Sequence, residues 1–168
     1  MTDGAWISQD HAAGAATDKG QELDLGILDG FIGHLLRLAY ESSFEDFATR
    51  LGPDSMKPAY FSMLTMIRNN PGITQVELGR AVGRDKSSIA KALRQFEDQG
   101  LIRRERGEDD RRNYASFVTN EGEAVYGRMD VIARDHLARM NAVVGPERLD
   151  AFVATLHDLI AAEPGAND

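Results

Sequence analysis

The chain has no cysteine among its 168 residues. That excludes disulfides, thiolate metal sites and thiol-based redox sensing together. Long apolar runs are missing as well. No stretch of about 18 apolar residues occurs, the length a membrane-spanning helix needs. The first twenty residues, MTDGAWISQDHAAGAATDKG, lack a basic start and an apolar segment, so they do not read as a secretion signal. A cytoplasmic protein is the simplest expectation. Catalytic patterns are equally scarce. There is no phosphate-binding glycine loop and no nucleophile-plus-base spacing, and the densest acid cluster sits in a turn, where water is hard to exclude. We expect neither an enzyme nor a cofactor. The four histidines are scattered without zinc-site spacing. Glu108, Asp109 and Asp110 are contiguous, unlike the alternating ligands of a calcium loop, so no metal is expected.

What is present is an acidic chain with enough apolar residues, 42%, to bury a core. Its net charge of −8 argues weakly against non-specific attraction to nucleic acid. The distribution matters more than the sum. Between Thr74 and Arg112 ten basic residues outnumber eight acidic ones; elsewhere nine basic residues are set against nineteen acidic ones. A relatively basic block inside an acidic body hints at a local anion-binding surface.

Apolar periodicity predicts a helix from Leu25 to Leu51, with Leu28, Phe31, Ile32, Leu35 and Ala39 on one face. A second helix is expected over Ser55–Asn69 and is stopped by NNPG. Thr74 can cap a short helix that buries Val76, Leu78, Ala81 and Val82 and ends at Gly83. Asp85 can cap the next, Lys86 to Gln99, closed by Gly100. Two short helices this close make a helix-turn-helix candidate. Strands are expected at 101–106 and 113–118, joined by a tip that begins at Gly107. Thr119 or Asn120 opens a long helix to about Val143, and Pro146 suits the first turn of a last one. The fold class that follows is mainly α with a small β-hairpin wing. Residues 1–22 read as a flexible arm, 55–119 as a winged helix-turn-helix, and 163–168 as a tail. Residues 23–54 and 120–162 read as helices too apolar for so small a core, for which a second copy of the chain is the natural partner.

The second short helix sorts its side chains by face. Ile89, Leu93 and Phe96 fall together, while Ser87, Lys91, Arg94 and Gln95 fall opposite, flanked by Ser88. Small, hydroxylic and basic side chains suit a helix that enters a major groove. A solvated face on an ordinary amphipathic helix is the plain alternative. The stretch ERGEDDRRNYASF also admits two readings. A basic residue on a thin hairpin tip could enter a minor groove, with a neighbouring carboxylate orienting its guanidinium. A merely solvated turn is the other.

The run from 72 to 122 resembles the MarR family of transcription regulators. The matching residues are Thr74, Glu77 and Leu78; Phe96, Gly100, Leu101, Ile102 and Arg104; Asp110 and Arg112; and Val118, Thr119 and Gly122. Phe96 and Val118 stand where that family usually has Leu. The resemblance extends over about residues 25–162. It implies a homodimer whose N- and C-terminal helices interlock and whose winged domains straddle a palindromic operator in double-stranded DNA. By position, Ser87, Ser88 and Lys91 would contact bases. Arg112 would be the wing-tip residue with Asp110 as its orienting partner, and Arg84, Lys86 and Arg111 would meet phosphates. Arg104 and Arg106 could do either. The resemblance also implies release of DNA by a small molecule, often an anionic aromatic compound or its CoA thioester. His34, Arg37 and Tyr60 could form an apolar slot with a cationic end for such an effector. Arg37 as a surface ion pair, with His34 packed or solvated, is the alternative. His136 reads better as a satisfied interface histidine than as a ligand. The expected function is a ligand-responsive regulator, a repressor. A winged-helix module for protein–protein contact without an effector is the alternative.

Overall fold

The computed structural model describes residues 23–52, 56–106 and 114–162. The chain divides into two compact units, one ending at Ser43 and one beginning at Phe44. In the first, a 3-10 helix over Gly26–Gly30 precedes α1, Ile32–Leu51, which runs on into the second unit. The predicted single helix from Leu25 is therefore broken. Gly26 adopts a left-handed φ of 55°, and Phe31 is extended, so the α-helical ladder starts only at Ile32. The apolar face of this segment is exposed: Leu28, Phe31, Ile32 and Leu35 all show large accessible areas.

In the second unit, α2 (Pro58–Asn69) starts three residues later than expected. Lys57 is held extended before Pro58, as the proline ring requires, and the proline takes the first helical turn, where its missing N–H costs nothing. A two-residue strand, β1 (Ile73–Thr74), follows; it pairs antiparallel with a later strand and was invisible to periodicity. α3 (Gln75–Val82) is opened by a capping box. The Thr74 hydroxyl accepts from the Glu77 N–H, and the Glu77 carboxylate accepts from the Thr74 N–H at 2.9 Å. Gly83, at φ 61°, ends it. α4 (Lys86–Asp98) is capped by Asp85. β2 (Ile102–Arg106) and β3 (Tyr114–Val118) pair antiparallel with Arg104 opposite Ser116, and the sheet order is β1-β3-β2. α5 (Asn120–Val144) begins at a Thr119 cap, and α6 is Pro146–Ala162. This is a winged helix-turn-helix with long flanking helices.

The core lies between α2, α3, α4, β2 and the start of α5. Leu64, Ile67, Leu78, Ile89, Leu93 and Phe96 are fully enclosed. Two expectations for α3 are corrected. Val76 is 51% exposed and Ala81 is exposed as well. A two-turn helix has one narrow inner stripe, which Leu78 occupies; Val76, two residues away, points about 200° from it. On α5, Tyr126 and Met129 are buried, while Val143 stands in solvent. No residue of α6 is buried, and Phe152, Val153 and Ile160 are open. Among the described residues no helix is long and apolar enough to cross a membrane.

Candidate nucleic-acid interface and adjoining cavity

The turn between α3 and α4 is fixed by local chemistry. Gly79 lets the helices approach: a Cβ there would lie 3.2 Å from the Arg84 carbonyl oxygen. The Arg84 N–H donates to the Gly79 carbonyl at 3.0 Å, and the Gln75 side chain donates to the Lys86 carbonyl at 3.1 Å. Asp85 closes the start of α4. Its Oδ1 accepts from the backbone N–H groups of Ser87 (3.0 Å) and Ser88 (2.9 Å). Both serine hydroxyls also donate to this carboxylate, Ser87 to Oδ1 and Ser88 to Oδ2. Those bonds, the Ser87 hydroxyl first, hold the Asp85 carboxyl far below the ordinary carboxylate range.

α4 buries Ile89, Ala92, Leu93 and Phe96 and turns Ser87, Lys91 and Arg94 outward along one shallow groove. The predicted two-faced helix is thus observed, except that Gln95, expected on the outer face, is half-buried at its edge and accepts from the Tyr60 hydroxyl. Lys86 and Arg84 are exposed beside its N-terminus, and Ser88 is half-buried at the flank. Arg104 and Arg106 share one face of β2, and both guanidiniums lie over the Tyr114 ring, at 4.7 and 5.7 Å. Arg104 is only 17% exposed and reaches toward Glu97 at 3.9 Å, whereas Arg106 stays exposed while donating to the Tyr114 hydroxyl at 2.9 Å. On the other face, Arg103 lies over Phe117 at 4.3 Å and pairs with Glu105. Asp110, Arg111 and Arg112 lie outside the described residues.

Behind α4 there is a cavity of about 580 Å³, a volume ordinary for small-molecule sites. Three stretches far apart in sequence build its polar wall: Lys57 and Tyr60 at the start of α2, Gln95 and Gln99 of α4, and Arg128 of α5. Leu51, Met56, Val125, Met129 and Ile132 supply apolar surface. The Tyr60 hydroxyl donates to the Gln95 side-chain oxygen at 2.7 Å, and its ring meets Phe96 edge-on. Among the described residues neither Lys57 nor Arg128 has a carboxylate within ion-pair distance. Tyr60 was predicted to face a ligand, and it lines this cavity. Lys57, Gln95, Gln99 and Arg128 were missed. One signal was available for Arg128: it sits three residues after Val125 and four before Ile132, a cation inside an apolar helical stripe.

His34 and Arg37 lie in the first unit. Arg37 donates twice to Glu41, at 2.8 and 2.9 Å, and its other nitrogen lies 3.5 Å from His34 Nδ1. The ion-pair alternative for Arg37 is therefore present. His136 is engaged as the sequence suggested. Its Nδ1 is 2.9 Å from Asp46, and its ring stacks on Phe47. Arg50 and Arg139 converge on the same carboxylate. The hydrogen bond from His136, followed by Arg50, holds Asp46 below its ordinary range. No cluster of three metal-ligating side chains occurs among the described residues.

Residues 56–114 match the MarR family. A putative transcriptional regulatory protein for the hcr operon of Thauera aromatica is 35% identical over 121 residues, which is 71% of this chain and 73% of that protein. The transcriptional repressor CouR bound to a 23-mer DNA duplex is 31% identical and superposes with a TM-score of 0.76 over 83% of this chain and 99% of that one. CouR bound to p-coumaroyl-CoA is 30% identical, with a TM-score of 0.73 over 85% and 100%.

Proposed function

This chain belongs to the MarR family of transcriptional regulators, and we propose that it is a homodimeric repressor released from a palindromic operator by an aromatic acid or its acyl-CoA. The observation that carries the ligand-responsive part is the cavity wall. Gln95 and Gln99 belong to the same helix that carries Ser87 and Lys91. A molecule filling the cavity cannot be indifferent to where that helix lies, and only a difference in affinity between two states can shift their balance. Lys57 and Arg128 suit an anionic group, and the Leu, Met, Val and Ile side chains suit an aromatic body. DNA-bound and acyl-CoA-bound forms of a similar repressor support the same reading.

The exposed apolar faces of the 23–52 and 120–162 segments support the dimer, because patches of that kind seldom stay open on a lone chain. Ser87, Ser88 and Lys91 are proposed as base contacts, with Arg84, Lys86 and Arg111 on phosphates. Arg106 has the exposure a DNA contact needs. Arg104 is better explained as support for the wing through Tyr114.

Two experiments test this reading. Aromatic carboxylates and their CoA thioesters should raise the melting temperature by mass action. The same compounds should weaken the complex with an operator selected from random DNA, and the Arg128→Ala variant should lose most of both responses. A wild-type protein that selects no DNA sequence at all would point instead to a protein-contact module. The second test concerns the wing. Arg112→Ala should lower operator affinity at least about tenfold in a gel-shift titration, with the fold intact by circular dichroism. Unchanged affinity removes Arg112 from the interface.

A further inference from the structure

We propose that Asp85 fixes the hydrogen-bonding sense of Ser87 and Ser88, so that both serines meet the operator only as acceptors and select bases that present an amino group. The inference rests on the DNA-binding reading and goes beyond it by stating what these side chains recognise. A serine hydroxyl has one proton to give and two lone pairs to accept with. A carboxylate can only accept. Ser87 gives its proton to Asp85 Oδ1 and Ser88 gives its own to Oδ2. Each hydroxyl therefore has only lone pairs left for any other partner. The lowered pKa of Asp85, held down by these hydrogen bonds, keeps the carboxylate ionised through the pH range in which DNA binding is measured.

In the major groove, adenine N6 and cytosine N4 are donors, whereas guanine O6 and N7 and thymine O4 are acceptors. An acceptor-only serine is matched by the first pair and repelled by the second. The expected signature is a preference for A or C over G or T on the contacted strand, about threefold to tenfold at each serine's position.

The chemistry of the cap supplies a clean test. Oδ1 of Asp85 accepts from two backbone N–H groups, which can only donate. In Asp85→Asn the amide oxygen must therefore take the Oδ1 place. The amide nitrogen then lies against Ser88. Asn caps a helix as well as Asp does, so the start of α4 is preserved. The Ser88 hydroxyl now accepts from that nitrogen, and its proton is free to point at a base.

Selection from random DNA, followed by sequencing, would be run on the wild type, Ser88→Ala and Asp85→Asn. Ser88→Ala should flatten the preference at one operator position and so locate it. Asp85→Asn should turn that same position from A or C toward G or T, while the position read by Ser87 is unaltered. Binding intact in Asp85→Asn with the preference unchanged overturns the proposal, as does a wild-type preference for G or T at the position that Ser88→Ala identifies. A wild type that selects no sequence removes the DNA reading itself, an outcome distinct from both.

Discussion

Raising monovalent salt from about 50 to about 200 mM should weaken operator binding on the order of a thousandfold. The number follows from counting cations. Arg84, Lys86 and Arg111 are the proposed phosphate contacts, and a dimer doubles them to about six. Each neutralised phosphate releases about 0.9 of a counterion, so log affinity should fall with log salt at a slope near −5. Arg84 and Lys86 are exposed beside the start of α4, where the helix dipole adds to their charge. The acidic remainder of the chain works the other way and makes the dependence somewhat shallower, since its repulsion of DNA is strongest at low salt and is screened as salt rises. Lys86→Ala should reduce the slope by about 2, one contact per protomer, and should weaken all sequences alike. Fluorescence anisotropy at several salt concentrations gives the slope directly. A slope shallower than about −2 would mean that these residues do not face phosphates.

Among the described glycines, Gly122→Ala should be the most damaging added methyl. Gly122 is buried in the first turn of α5, and its N–H donates to the Thr119 hydroxyl at 3.1 Å. That hydroxyl donates in turn to the Gly100 carbonyl at 2.6 Å, and the Thr119 N–H donates to the Leu101 carbonyl at 3.0 Å. The start of α5 is thereby drawn against the backbone that leads from α4 into β2. A Cβ at 122 would fall on the Leu101 carbonyl oxygen and come within 2.7 Å of Val118 Cγ1. A flexible side chain could swing aside, but a hydrogen-bonded carbonyl cannot. We expect a loss of about 3 kcal/mol or more, at the upper end for overpacking. That corresponds to a fall in melting temperature of roughly 6–12 °C. Gly127 is the internal control. It lies on the same helix with nothing within 4 Å of an added Cβ, so Gly127→Ala should be neutral or stabilising by about 0.5–1 kcal/mol. If the two variants melt alike, the close approach at Gly122 is not rigid.

The helix starts were the most legible part of the fold. Thr74, Asp85, Thr119 and Pro146 all stand where the sequence placed them, because a cap involves only residues within a few positions of one another. The two faces of α4 were legible for the same reason. The strand β1 was not. Two residues carry no period, and Ile73 and Thr74 become a strand only because β3, some forty residues later, offers free backbone groups. The cavity was legible at one residue, Tyr60. Its cations come from residues 57 and 128, and nothing local marks them as neighbours. The same holds for Arg104. The family pattern marks it as important, but only the structure places it, half-buried, over the Tyr114 ring.

The bareness of α6 bears on the order of the unfolding reaction. A 17-residue helix with no fully buried residue, only Leu149, Leu156 and Leu159 half-covered, is marginal in water, since nucleating a helix is costly and an apolar face must be covered to offset that cost. In the proposed dimer, that cover comes from another molecule, so part of the native structure is bimolecular and its stability depends on protomer concentration. Copy number then enters regulation twice. It sets how many dimers compete for the operator, and it sets what fraction of the chains possess a complete fold to compete with.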